Sequence, residues 1–271
     1  SDLIAVPGAI GQILVATVMG AGVAWLWGWS LPAAVMFGLS LSVASTVVLL
    51  RSLERQGKLS SAEGRIAIGW LIVEDLVMVL ALVLVPAVAQ SINGELASQG
   101  GSLWQALGLT LAKVTLFVVL ALVVGVRVVP WVLERVSRTG SSELFTLGVL
   151  AVSLGVAFGS AALFGVSFAL GAFFAGVILS ESDLSHRAGE RLLPLQDAFA
   201  VLFFVSVGML FDPGILLREP LRVLVVLAII VVGKSAAAFV IVLLFRYAVG
   251  TALTVSASLA QIGEFSFILA A

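Results

Sequence analysis

The chain has 271 residues, of which 61% are hydrophobic and 11% charged. A soluble domain of this length needs far more surface charge, so that class is excluded. A formal net charge of −1 gives no pointer to nucleic acid, and a sequence without Cys carries no disulfide, thiolate-metal or thiol chemistry.

The apolar stretches are each long enough to cross a bilayer, which takes about 20 helical residues. They predict an all-α polytopic membrane protein with nine segments, near 7–29, 31–50, 63–89, 104–130, 143–161, 164–180, 194–212, 220–245 and 251–271. Pro7 and Pro32 stand where a first helical turn tolerates proline. Segments five and six meet at a short turn around Gly165. The remaining links are brief and polar, so residues 1–271 read as a single transmembrane domain. The chain opens on Ser1 and stops within the apolar run Phe267–Ala271, as a piece of a longer protein would, incomplete at both ends.

Lys and Arg set the orientation. Arg51, Arg55, Lys58 and Arg65 follow segment two, Arg135 and Arg138 follow segment four, and Arg187 and Arg191 follow segment six. These loops share one side, which is expected to be cytoplasmic; the acidic stretch Ser91–Ser102 falls on the other, and Arg218 and Arg222 count against the assignment. Trp25, Trp27, Trp29, Trp104 and Trp131 lie near predicted helix ends, as interfacial tryptophans do. The charged stretch Glu181–Leu193 fits either an amphipathic helix on the cytoplasmic surface or a solvated loop. It contains His186, the one histidine, which is more simply incidental than a pH sensor.

Three segments carry charge deep in the membrane. With about 1.5 Å of rise per residue, Asp75 lies roughly 15 Å in from the loop near Arg65, Lys234 roughly 20 Å into segment eight, and Glu264 roughly 18–20 Å into segment nine. Short acids cannot snorkel from that depth, so they face protein or water and are paired or neutralised. Glu74 and Asp75 are adjacent and point about 100° apart, so they border one cavity at most. Lys234 is the candidate partner for one of them. A carboxylate balanced between burial and a lysine can hold a proton, a cation or the lysine in turn, as a coupled exchanger requires. The competing reading is a buried ion pair that only fixes helix packing. Lys113, part-way into segment four, is left without a role.

Small polar residues form a second layer. Segment two contains Gly38-Leu-Ser-Leu-Ser-Val-Ala-Ser-Thr46, and segment nine contains Thr251, Thr254, Ser256, Ser258, Gln261 and Gly263. Such residues serve close helix packing. They also suit discontinuous helices whose freed carbonyls and half-helix dipoles face an ion.

At this level of detail the chain resembles a known family. Ala44-Ser-Thr-Val-Val-Leu-Leu50, Gly64-Arg-Ile-Ala-Ile-Gly-Trp-Leu-Ile-Val-Glu-Asp75, Leu202-Phe-Phe-Val-Ser-Val-Gly-Met209 with Phe211-Asp-Pro213, and Leu259-Ala-Gln-Ile-Gly-Glu-Phe-Ser-Phe267 are similar, in order, to motifs of the Kef/YbaL-type monovalent cation:proton antiporters. The resemblance covers essentially the whole chain and is strongest to the YbaL branch.

The resemblance implies a sodium/proton-antiporter-like fold, with a dimerising panel and a mobile core of inverted repeats containing two discontinuous crossing helices. Segments two and nine take the place of those helices. Asp75 takes the place of the essential aspartate that holds the transported K⁺ or Na⁺, and Lys234 that of the lysine that pairs with it. Ser45 and Thr46 fall at the first crossing, and Gln261, Gly263 and Glu264 at the second. Two departures stand out: position 74 is Glu where relatives carry Asp, Asn or Gln, which leaves the charge stoichiometry open, and the family's first helices, final core helix and cytosolic nucleotide-binding regulatory domain are not within the chain.

The implied activity is secondary exchange of a monovalent cation for H⁺ in a bacterial inner membrane, by a homodimer and without a cofactor in this stretch. A gated K⁺ efflux path and a non-transporting sensor or scaffold are the alternatives. An intramembrane aspartyl protease needs two facing aspartates, whereas only Asp75 is at depth.

Overall fold

The computed structural model describes residues 4–92 and 103–270, and every regular element among them is helical. Most of the acidic loop expected at Ser91–Ser102, and the end of segment nine at Ala271, lie outside the described residues. Among the described residues six helical stretches are long and apolar enough to cross a bilayer: Ala5–Leu26, Leu31–Arg55, Gly108–Ser137, Ser142–Phe164, Ser185–Met209 and Pro220–Leu244. Their outer faces stay apolar, with Val18, Leu163 and Leu244 all exposed. Water would penalise such a surface and lipid does not.

Contacts divide the chain into two compact units, Ser1–Met78 with Val205–Ala271, and Val79–Phe204. The first unit opens with α1 (Ala5–Leu26), which ends where Gly28 takes a positive φ of 86°. Helix α2 (Leu31–Ser42) starts with Pro32 in its first turn and packs back on α1. A Cβ at Gly38 would overlap the backbone of Thr17 and Ala21, so the two helices touch main chain to main chain. Helix α3 (Thr46–Arg55) continues beyond a break at 43–45. Helix α4 (Ala62–Ile92) follows, and its residues up to Met78 belong to this unit.

The second unit contains α5 (Leu103–Leu120), a π-helical turn at Ala121–Gly125, and α6 (Val126–Ser137), which holds Pro130. Helix α6 runs past the expected end near 130. Helix α7 (Ser142–Phe164) is capped by the Ser141 hydroxyl, which accepts from Leu144 N, and it ends at Gly165 with φ 65°. That is the short turn expected there, and α8 (Phe168–Ser180) follows it. Phe117, Leu133, Phe145, Val149, Leu170 and Ile178 form this unit's core. Lys113 is exposed on α5.

Helix α9 (Ser185–Met209) begins well before the expected 194, so Glu181–Leu193 resolves mostly into helix. Its charged first turns are docked: Arg187 donates to Ser137 Oγ at 2.9 Å and lies 4.7 Å over the Phe145 ring, and Ala188 is buried. His186 is exposed, 3.5 Å from Glu190. Pro194 sits inside the helix without ending it.

The rest of the first unit is α10 (Ile215–Arg218), α11 (Pro220–Ala228), a π-helical turn at Ile229–Gly233, α12 (Lys234–Leu244), α13 (Val249–Ser258) and α14 (Glu264–Ala270). Its core gathers Leu49, Leu53, Ile66, Trp70, Val242 and Val255.

Candidate functional site

Two helix breaks organise the first unit. At the first, serine hydroxyls draw the backbone away from helix. Ser40 Oγ donates to Phe37 O and Ser42 Oγ to Leu39 O, both at 2.7 Å. Val43 then turns extended, with φ −90° and ψ 136°. Ser45 is extended too, and its Oγ caps α3 by accepting from Val48 N at 3.4 Å. At the second break, α13 ends at Ser258 and α14 starts at Glu264. Gln261 N turns back on Leu259 O at 2.8 Å, and Gly263 N donates to Ser266 Oγ at 3.4 Å.

The breaks cross at Gly263. A Cβ there would lie 2.9 Å from both the Cα and the N of Ser45 and 3.0 Å from Ala44 O, so only glycine permits this approach. Gln261 joins the two chains. Its Oε1 accepts from Ser45 N at 3.3 Å, while its Nε2 donates to Ser45 O at 3.1 Å and to Ser258 O at 3.2 Å. Each broken helix exposes backbone groups whose burial without partners costs about 1–3 kcal/mol apiece. Side chains from neighbouring elements meet that demand.

Helix α4 brings its two acids to opposite ends of the first break. Glu74 is fully buried and accepts from Ala44 N at 2.9 Å through Oε2. Asp75 is half-buried and accepts from the Thr46 hydroxyl at 3.0 Å through Oδ2. It thereby sits at the positive N-terminal end of α3. Lys234, the first residue after the π turn of Ile229–Gly233, is fully buried and donates to Gln261 O at 2.6 Å. Glu74 Oε1 and Glu264 Oε2 are buried without a hydrogen-bond partner.

The expected site residues thus converge: Ser45, Thr46, Glu74, Asp75, Lys234, Gln261, Gly263 and Glu264 all lie at or beside the crossing. One expected contact differs. Among the described residues no ion pair joins Lys234 to either acid of α4: its ammonium is on Gln261 O at 2.6 Å, and only its longer-range charge reaches Glu74. The π turn adds a residue to the helical repeat just before Lys234, which changes the face the lysine presents. No group of three acidic or histidine ligands arranged for a metal occurs among the described residues. The arrangement offers an accessible carboxylate, a hydroxyl and a second acid, beside a lysine engaged elsewhere. That suits a loosely held proton or monovalent cation.

The sequence reading did not single out Gln12 and Trp70, which adjoin this site. A lone amide within an apolar helix was the signal for Gln12, and the i, i+4 spacing of Trp70 to Glu74 was the signal for the tryptophan.

The family model described as the transmembrane sodium/hydrogen exchanger matches residues 4–271. The chain is 61% identical over 268 residues to YbaL of Escherichia coli (strain K12), provisionally named a cation/proton antiporter; the match covers 98% of this chain and 48% of that protein. It is 63% identical over 190 residues to an uncharacterized protein in the phaC 3′ region of Methylorubrum extorquens, covering 68% of this chain and 69% of that one. Identity to K(+) efflux antiporter 4 of Arabidopsis thaliana is 33% over 270 residues, covering 98% of this chain and 44% of the relative. The chain therefore spans about half the length of the Escherichia coli and Arabidopsis relatives.

Proposed function

The chain belongs to the sodium/hydrogen exchanger family of transmembrane proteins, which are transporters and not enzymes, and from that premise we propose that it is the ion-handling core of a secondary antiporter exchanging a monovalent cation, K⁺ or Na⁺, for H⁺. The observation that carries the reading is Asp75: a half-buried carboxylate held by the Thr46 hydroxyl where two broken helices cross. A carboxylate there binds either a proton or a cation, never both, and this competition couples the two fluxes.

In this reading Thr46 orients Asp75 and shares the cation, and Glu264 supplies further negative field from α14. Lys234 is the fixed positive charge. Its tie to Gln261 O and its attraction to Glu74 hold it at the crossing, where it resists a second cation. Glu74 is a strut first, because its carboxylate secures Ala44 N. Resemblance to the Kef/YbaL type supports the further expectation of nine spans in an inverted-repeat arrangement, in a homodimer of a bacterial inner membrane. Alternating access then turns the crossing toward one side at a time.

The test uses the full-length protein in sealed vesicles, with a pH-sensitive dye reporting proton movement on addition of K⁺ or Na⁺. Asp75→Asn is expected to abolish the signal. Wild-type exchange by Asp75→Asn refutes the assignment, and cation flux indifferent to a pH gradient replaces antiport with gated efflux.

A further inference from the structure

Helix α1 places one amide, Gln12, in the interior of the first unit at 0% exposure. Both ends of that amide are used. Oε1 accepts from the indole N of Trp70 at 2.9 Å, and Nε2 donates to Ser42 O at 3.1 Å. Only one orientation of the amide satisfies both contacts, because an indole N–H only donates and a carbonyl only accepts. Trp70 is itself fully buried and has its own berth on α1, where a Cβ at Gly8 would overlap the ring.

These contacts bear on the first break. Ser42 is the last residue of α2, so its carbonyl has no partner within the helix. Two residues later the free N–H of Ala44 goes to Glu74, one helical turn beyond Trp70 on the same face of α4. The extended residue Val43 is therefore gripped on both sides, at Ser42 O through Gln12 and at Ala44 N through Glu74. The two grips share one scaffold, since the indole that orients Gln12 and the carboxylate that holds Ala44 belong to one helix.

We propose that Gln12 is a positioning residue for the cation site: by anchoring the end of α2 through Trp70, it fixes the path of residues 43–46 and so the alignment of Thr46 with Asp75. This rests on the antiport reading for its functional consequence, but its structural half stands apart from transport.

The test compares Gln12→Leu and Trp70→Phe with wild type in the full-length protein. Leucine keeps the volume and loses both hydrogen bonds. Phenylalanine keeps most of the ring and loses the donor that orients Gln12. In the vesicle assay both variants are expected to raise the apparent KM for the cation roughly two- to tenfold, the scale of one lost hydrogen bond, with the maximal rate within about twofold of wild type. Combining them should add little to Gln12→Leu alone. In parallel, hydrogen–deuterium exchange of a peptide covering 43–48 should quicken in both variants, with a peptide from α7 unchanged. An unchanged KM with a lowered maximal rate, or unchanged exchange at 43–48, means that Gln12 only packs α1, and overturns the proposal. If the wild-type protein moves no protons in response to cation, antiport falls and the exchange comparison alone decides the role of Gln12. If Gln12→Leu does not fold, Trp70→Phe decides.

Discussion

Gly263 offers the most direct test of the crossing. In Gly263→Ala the new methyl lands 2.9 Å from Ser45 Cα, 2.9 Å from Ser45 N and 3.0 Å from Ala44 O. All three are backbone atoms, pinned by Glu74 and Gln261, so no flexible side chain absorbs the overlap. Overpacking of this kind costs about 1–3 kcal/mol. If the chains part by a few tenths of an ångström, the paired bonds between Gln261 and Ser45 weaken as well, at about 0.5–1.5 kcal/mol each. The total is roughly 2–6 kcal/mol, or a fall in thermal midpoint of roughly 4–24 °C. Thermal unfolding of the full-length protein in detergent measures it, with Gly250→Ala as control, since a methyl at Gly250 in α13 meets nothing within 4 Å. Cation-driven proton movement should fall with stability, because the same overlap displaces Ser45 and Thr46. If Gly263→Ala unfolds and transports like Gly250→Ala, the two breaks do not meet as described, and no site lies at their crossing.

Three further outcomes follow from the same contacts. Lys234→Met removes a positive charge that acts on buried Glu74 and should lower the thermal midpoint, and adding Glu74→Gln should recover part of the loss; a thermal double-mutant cycle with purely additive losses contradicts the electrostatic link between them. Thr46→Val removes the hydroxyl from Asp75 and should raise the cation KM roughly two- to tenfold in vesicle flux, while Thr46→Ser stays near wild type. Gly38→Val drives a side chain into the Thr17 carbonyl and should sharply reduce the folded yield on size-exclusion chromatography, whereas Gly22→Ala, which meets nothing within 4 Å, should not.

The apolar runs, the turn at Gly165 and the burial of Glu74 and Lys234 were legible because each has a one-dimensional signature. The cost of a charge at the midplane made Asp75, Glu74 and Lys234 conspicuous without any knowledge of their neighbours. The Ser-rich stretch 40–46 marked a break for a local reason, as hydroxyls one turn from free carbonyls compete with the helix. The partners were not legible. Whether Lys234 meets Asp75, Glu74 or a carbonyl depends on helix rotation, and a π turn alters rotation without any compositional mark. The extent of α9 was hidden for another reason: Glu181–Leu193 is charged, and Pro194 reads as a helix start, yet Arg187 finds Ser137 and Phe145 far away in sequence.

The hydrogen bonds at the breaks also narrow what can bind an ion there. Broken helices invite the idea that freed carbonyls form the ligand cage. Here several are already occupied: Leu39 O by the Ser42 hydroxyl, Ser42 O by Gln12, and Ser45 O by both Gln261 and Leu49 N. A carbonyl oxygen has two lone pairs, so Ser45 O is saturated. On the proposed function, a cation at Asp75 would draw chiefly on the carboxylate, the Thr46 hydroxyl and water. Such a shell would bind weakly and release readily, and its preference among monovalent ions would follow from the reach of Asp75 and Thr46 more than from a rigid ring of carbonyls. On the same proposal the rigidity of the crossing would hold Thr46 and Asp75 at a fixed spacing while the ion, the proton and the water between them change.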